Sequence, residues 1–202
     1  MRLGKFARMG IGAPLTRQTL DRAQRGGPGR MAVKALLVID VQKGVFSWED
    51  TTVLGGAVLL ATINSLIASA READSPVIFV QHQDEWLVPG SALFELVDGL
   101  DARPGVDLSI VKQHGSAFHD TPLEGDMRHL GVDELIVCGL QTEFCVDSTV
   151  RHAVTLGFAV TLVADAHSTY DSGVLTAAQI IAHHNLTLRS YASVTDAGAV
   201  TF

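Results

Sequence analysis

Two cysteines, Cys138 and Cys145, are too few and too close together for a disulfide framework. Neither a CxxC motif nor a four-ligand zinc pattern is present. No apolar run approaches the roughly 20 residues that a membrane-spanning helix needs. Basic side chains are scarce past the first segment. Residues 1–30 hold seven of the fifteen Lys and Arg and only one of the 22 acids, Asp21. The rest of the chain therefore carries eight basic and 21 acidic side chains, a net charge of −13 behind the overall −7. So acidic a body argues against nucleic acid or an anionic membrane as partner. The expectation is a small-molecule partner and a cytoplasmic protein. Residues 1–30 also lack the apolar core of a secretory signal. With Gly26-Gly27-Pro28-Gly29 ahead of a second methionine, Met31, they read as a disordered extension or an over-long translation start. The alternative is an Arg-rich, acid-poor transit peptide.

The sequence from 31 to 202 reads as one domain. At 47% hydrophobic and 18% charged, the chain has material for one sizeable core. Short apolar runs rich in β-branched residues recur at 35–39 (ALLVI), 77–81 (VIFVQ), 108–111 (LSIV), 135–138 (LIVC) and 160–164 (VTLVA), with a weaker sixth at 187–191. Each is bounded by polar or turn residues, as buried parallel strands are. Helix-like stretches alternate with them, over 53–70, 123–130, 145–156 and 174–184. Strand-then-helix repetition predicts right-handed crossovers and an α/β domain of three αβα layers, with a Rossmann-like, mostly parallel, six-stranded sheet. Two longer gaps, 40–52 and 82–106, follow the first two strands. They should wall a crevice and make Phe46, Trp48, His82, Trp86 and Phe94 pocket candidates.

Three strand ends carry reactive groups. Asp40 follows the first strand in Ile39-Asp40-Val41-Gln42, and Lys112 ends the third in Ile110-Val111-Lys112. Cys145 follows the fourth in Gly139-Leu140-Gln141-Thr142-Glu143-Phe144-Cys145-Val146. A thiol on the first turn of a helix faces unpaired backbone N–H groups, which favour thiolate. A carboxylate, an ammonium and a thiol on one rim make a base, a stabilising cation and a nucleophile. The bland reading of each alone is a cap, a solvated charge or a reactive thiol. Cys138, inside an apolar strand, reads as inert core. His114, His119 and His167 read as loop or rim residues, and His183 and His184 as helix-end residues.

The stretch from about 33 to 191 resembles the isochorismatase-like cysteine hydrolases, the group that includes nicotinamidase and N-carbamoylsarcosine amidohydrolase. The resemblance rests on Leu37-Val38-Ile39-Asp40-Val41-Gln42, on Lys112 with Gly115-Ser116-Ala117-Phe118 and Thr121-Pro122-Leu123, on the Cys145 run, and on Val163-Ala164-Asp165-Ala166. It implies a catalytic triad of Asp40, Lys112 and Cys145. It also implies a cis peptide at Leu140–Gln141, with the amides of Gln141 and Cys145 forming an oxyanion hole. Phe46, His82, Trp86, Phe118 and Phe144 become substrate-contact candidates. The metal-binding segment of nicotinamidases reads Gln81-His82-Gln83-Asp84-Glu85-Trp86 here. His82 and Asp84 could ligate, but the required triple is not spelled out, and neither a metal nor another cofactor is expected. The resemblance implies a homo-oligomer, a dimer or a tetramer, and a hydrolase of C–N bonds in small amides, carbamoyl compounds or lactams. The alternatives are a hydrolase of the same fold acting on an ester or enol ether, or a non-catalytic thiol sensor.

Overall fold

Alternate residues of the first strand point to opposite sides of the sheet, and both sides are apolar. In β1 (Lys34–Ile39), Leu36 and Val38 join one core cluster, while Ala35, Leu37 and Ile39 join another. A strand buried on both faces needs helices above and below it, and this requirement sets the three layers. The computed structural model describes residues 32–48 and 51–202. The extension expected over 1–30 lies outside the described residues.

Five further strands join β1: β2 (Val77–His82), β3 (Leu108–Lys112), β4 (Glu134–Leu140), β5 (Ala159–Ser168) and β6 (Ser193–Thr195). Their order is β3-β2-β1-β4-β5-β6, and every pairing is parallel rather than mostly so. That order reverses between β1 and β4. In open α/β sheets such a switch point opens the ligand crevice beyond the carboxyl ends of the strands. Asp40 follows β1 and the Cys145 turn follows β4, so the topology alone sends both into that crevice.

After a short turn, α1 (Lys43–Phe46), the chain pairs Ser47–Trp48 with Thr51–Thr52 in a small antiparallel ribbon. Helix α2 (Gly56–Glu72) buries Leu59, Ile63, Leu66, Ile67 and Ala70, a stripe of helical spacing, against Leu36, Val38 and Phe79. Opposite it, Leu123 and Met127 of α3 (Leu123–His129) and Val150 and Ala153 of α4 (Asp147–Thr155) cover Leu37, Ile39 and Val137.

Two boundaries differ from the sequence expectation. Helix α5 spans Ala177–Thr187, not 174–184. Thr176 fixes its start through a capping box. Its Oγ1 accepts from Gln179 N, while Gln179 Oε1 accepts from Thr176 N. The sixth strand is Ser193–Thr195, because 187–191 continues α5 into a 3-10 turn over Leu188–Ser190. Leu188 is fully buried there, and its neighbours stay near the surface. A helical plug, rather than a pleated strand, satisfies that pattern.

Candidate active site

Gly139 is the tightest point of the scaffold. Its φ is +116°, and a Cβ there would lie 2.1 Å from the Ile39 carbonyl oxygen. Only glycine lets β4 come this close to β1, the strand that carries Asp40. The Leu140–Gln141 peptide beyond it is cis, as expected. The chain then enters a π-helical turn, Thr142–Val146, which precedes α4 and holds Cys145. Within it the Gln141 carbonyl accepts from the amides of Phe144 and Val146.

Asp40, Lys112 and Cys145 meet. Lys112 Nζ lies 2.7 Å from Asp40 Oδ2 and 3.1 Å from Cys145 Sγ. Its third neighbour, at 3.2 Å, is His82 Nδ1. An ammonium has three donors and no acceptor, so His82 accepts through Nδ1 and carries its proton on Nε2, beside Asp84 Oδ2 at 3.6 Å. Burial, with Lys112 second, holds the His82 pKa below its usual value and keeps the ring neutral. All three Lys112 donors are thus spoken for, although its side chain has no exposure to solvent. The second oxygen of Asp40, Oδ1, is buried without a hydrogen-bond partner. Asp40 holds a left-handed backbone, φ 50°, which a non-glycine residue adopts only when its surroundings enforce it.

The thiolate expected at Cys145 is not the resting state. Burial, and next the Asp40 carboxylate, push the thiol up to about 12, against the pull of Lys112. Charge counting explains this. Carboxylate, ammonium and thiol sum to zero, whereas adding a thiolate would leave an uncompensated buried negative charge. Burial likewise raises the Asp40 carboxyl, with Lys112 opposing. Moving the thiol proton to Asp40 keeps the sum at zero.

Two positioning networks escaped the sequence reading. Gln42 is fully buried. Its Nε2 donates to the carbonyls of His82 and Phe94, and its Oε1 accepts from His82 N at 2.7 Å. It thereby ties the end of β2 to the loop that ends at Phe94. His167 is not a rim residue but a buried link. Its Nδ1 meets Thr142 Oγ1 at 2.8 Å and its Nε2 meets Asn185 Oδ1 at 2.9 Å. Asn185 Nδ2 donates to the Ala164 carbonyl, so Oδ1 accepts, His167 carries Nε2–H, and Thr142 donates to Nδ1. The first residue of the Cys145 turn is thus pinned to β5 and α5.

The expected substrate contacts divide. Phe46 packs against Gly56 in the core, and Phe118 stacks on Phe158; both are over nine-tenths buried and are corrected to packing residues. Phe94 contributes its carbonyl to Gln42 and Gln81. Phe144 is exposed on the Cys145 turn. Trp48 and Trp86 pack edge to face, with ring centroids 6.3 Å apart, and together form part of the wall of a cavity of about 680 Å³ that Gln141 also lines. His82 stands at Lys112, where replacing it by alanine should lower kcat about tenfold by freeing the ammonium to drift. Replacement by glutamine, whose carbonyl can accept from Lys112, should restore most of that loss; steady-state kinetics on both variants checks it.

The donor set beside the site does not fit a metal. His82 turns Nδ1 to Lys112, and among the described residues Asp84 is the one carboxylate paired with its other nitrogen. Among the described residues, the one trio of ligating side chains that meets is His114, His119 and Asp120, all exposed on the loop after β3.

Residues 34–196 match the isochorismatase domain family. The chain is 35% identical to a streptothricin hydrolase from Streptomyces noursei over 83% of its own length, and it spans 64% of that relative. It is 26% identical to the ureidoacrylate amidohydrolase of Pseudomonas syringae, covering 96% of this chain and 94% of that one. Among solved structures, an isochorismatase family protein superposes with a TM-score of 0.77 at 38% identity, over 81% of this chain and 98% of the other.

Proposed function

The chain belongs to the isochorismatase family, and on that premise we propose that it hydrolyses a C–N bond of a small amide, carbamoyl compound or lactam through a thioester on Cys145. One observation carries the reading. A single buried ammonium, Lys112, touches both the Asp40 carboxylate and the Cys145 sulfur. This pairing holds base and nucleophile together, the arrangement nucleophilic acyl transfer uses.

The steps balance. Asp40 takes the thiol proton as Sγ attacks the carbonyl carbon, and the carbonyl π electrons move to oxygen. The amides of Gln141 and Cys145 receive that oxyanion, a role worth about 3 kcal/mol per donor. Asp40 returns its proton to the departing nitrogen as the C–N bond breaks, which leaves the thioester. Asp40 then takes a proton from water, hydroxide attacks the thioester, and the thiol leaves reprotonated. Lys112 stays charged throughout and offsets whichever partner carries the negative charge. Assaying release of ammonia or amine across small amides, ureido compounds and lactams tests this. Intact mass spectrometry of a quenched reaction should show the protein plus the acyl group. Turnover without any acyl adduct would sink the thioester route.

The pH profile follows from the two shifts. The base works as a carboxylate, so kcat/KM should fall as pH drops through the Asp40 value, which burial sets above the ordinary carboxylate range. The thiol must keep its proton for transfer, so the alkaline fall should wait until pH nears the Cys145 value of about 12. A profile that breaks downward near the free-thiol value, about 8.5, would contradict this order of events.

A further inference from the structure

The cavity beside Gln141 carries charge of one sign only. Its charged walls are Asp84 and Asp171, and among the described residues no Lys, Arg or His lines it. Most of the remaining lining is aliphatic or aromatic, with Trp48 and Trp86 presenting more than half their surface to solvent. The cavity adjoins the reaction centre through Gln141, and through Asp84, which neighbours the His82 that holds Lys112. A volume near 680 Å³ admits a ligand much larger than one aromatic amide.

Two lysines on neighbouring elements, Lys112 and Lys43, are committed elsewhere. Lys112 is paired with Asp40, and Lys43 with Glu95 and Asp98. His82 is held neutral, so it does not offset Asp84. Both aspartates use Oδ1 locally. Asp84 Oδ1 accepts from the amides of Trp86 and Leu87, and Asp171 Oδ1 accepts from Ala177 N. Those bonds hold each carboxylate at the wall and account for one oxygen of each.

Resting on the acyl-transfer reading, we infer that the substrate is a cationic amide or lactam. Its ammonium, amidinium or guanidinium group sits among Trp48, Trp86, Asp84 and Asp171, while its scissile carbonyl faces Gln141. Two carboxylates at the wall repel an anion and attract a cation more strongly than a neutral head group. Two exposed indole rings and two carboxylates supply the two attractions a desolvated organic cation uses, its contact with π faces and its pairing with carboxylate. The net charge of −13 beyond residue 30 draws the same ligands toward the surface.

The test reads binding without chemistry. Trp48 and Trp86 are the only tryptophans in the chain, so indole fluorescence reports on this cavity alone. A Cys145→Ala protein is titrated with benzamidinium, benzamide and benzoate, which share shape and differ in charge. Benzamidinium should bind about tenfold more tightly than benzamide, and benzoate more weakly than either, with the difference shrinking in high salt. The double variant Asp84→Asn and Asp171→Asn retains both Oδ1 acceptors and should bring the cation and the neutral probe to equal affinity. Benzamide or benzoate binding as tightly as the cation, a preference that survives the double variant, or no quenching by millimolar benzamidinium would each overturn the inference. A protein that fails here yet releases ammonia from neutral amides keeps its hydrolase reading. One that shows the charge preference but cleaves no amide loses the reading, and with it the cation's status as substrate.

Discussion

Replacing Cys145 by serine should lower amide turnover by about four to six orders of magnitude, as loss of the nucleophile does where catalytic residues act as a unit. A hydroxyl is far harder to deprotonate than a thiol, and Asp40 is too weak a base to carry its proton. The fold should barely register the change. Serine is nearly isosteric, Lys112 can donate to its oxygen as it does to sulfur, and stability should stay within about 1 kcal/mol of the parent. The measurement is kcat for ammonia release beside a thermal melt. Cys138 supplies the internal control: it is fully buried, its sulfur leans on the Leu37 carbonyl, and burial raises its pKa as well. Acyl adducts should therefore map to Cys145 alone. A serine variant that keeps a tenth of the activity would remove Cys145 from the mechanism and return attention to a hydrolase that needs no thiol.

That three reactive groups converge was legible because each stands at or beyond the carboxyl end of an apolar strand, and a parallel sheet sends all such ends to one rim. The three layers and the parallel six-stranded sheet followed from the same alternation, whereas the strand order did not. What the sequence hid depends on distance along the chain. Gln42 is 40 residues from His82 and 52 from Phe94, so no local pattern marks it as the clamp between them. His167, Thr142 and Asn185 are likewise joined only by folding. Phe46 and Phe118 fall in stretches the sequence reads as loops, where exposure was a fair expectation, yet Gly56 and Phe158 offer them packing partners. The Cys145 thiol is the instructive case. Its place at a helical turn after a strand was read correctly, and the favoured thiolate was not. A helix end supplies a fraction of a charge, whereas burial beside a full carboxylate, itself paired with Lys112, sets the larger effect.

Exchanging Lys112 for methionine should damage activity and stability together, in a way that depends on pH. The substitution fills the same channel without a charge and leaves Asp40, whose side chain is 2% exposed, as an unpaired carboxylate. Removing one partner of a buried pair costs about 3–5 kcal/mol while the other stays ionised. Asp40 escapes that cost by binding a proton, because burial already raises its pKa and Lys112 was what opposed the rise. The sign of the linkage is then fixed. A carboxyl whose folded pKa lies above its unfolded value contributes stability below the unfolded value and loses that contribution as pH rises through the folded one. The deficit of the variant should be small near pH 4, grow as pH rises toward 8, and be visible as a widening gap in urea midpoints. At neutral pH a protonated Asp40 cannot take the thiol proton, so turnover should fall by about a thousandfold or more. Adding Asp40→Asn removes the charge altogether; the double variant should recover stability at pH 8 while remaining inactive. A pH-independent deficit would mean that Lys112 acts through packing alone, and the electrostatic account of the cluster would have to be abandoned.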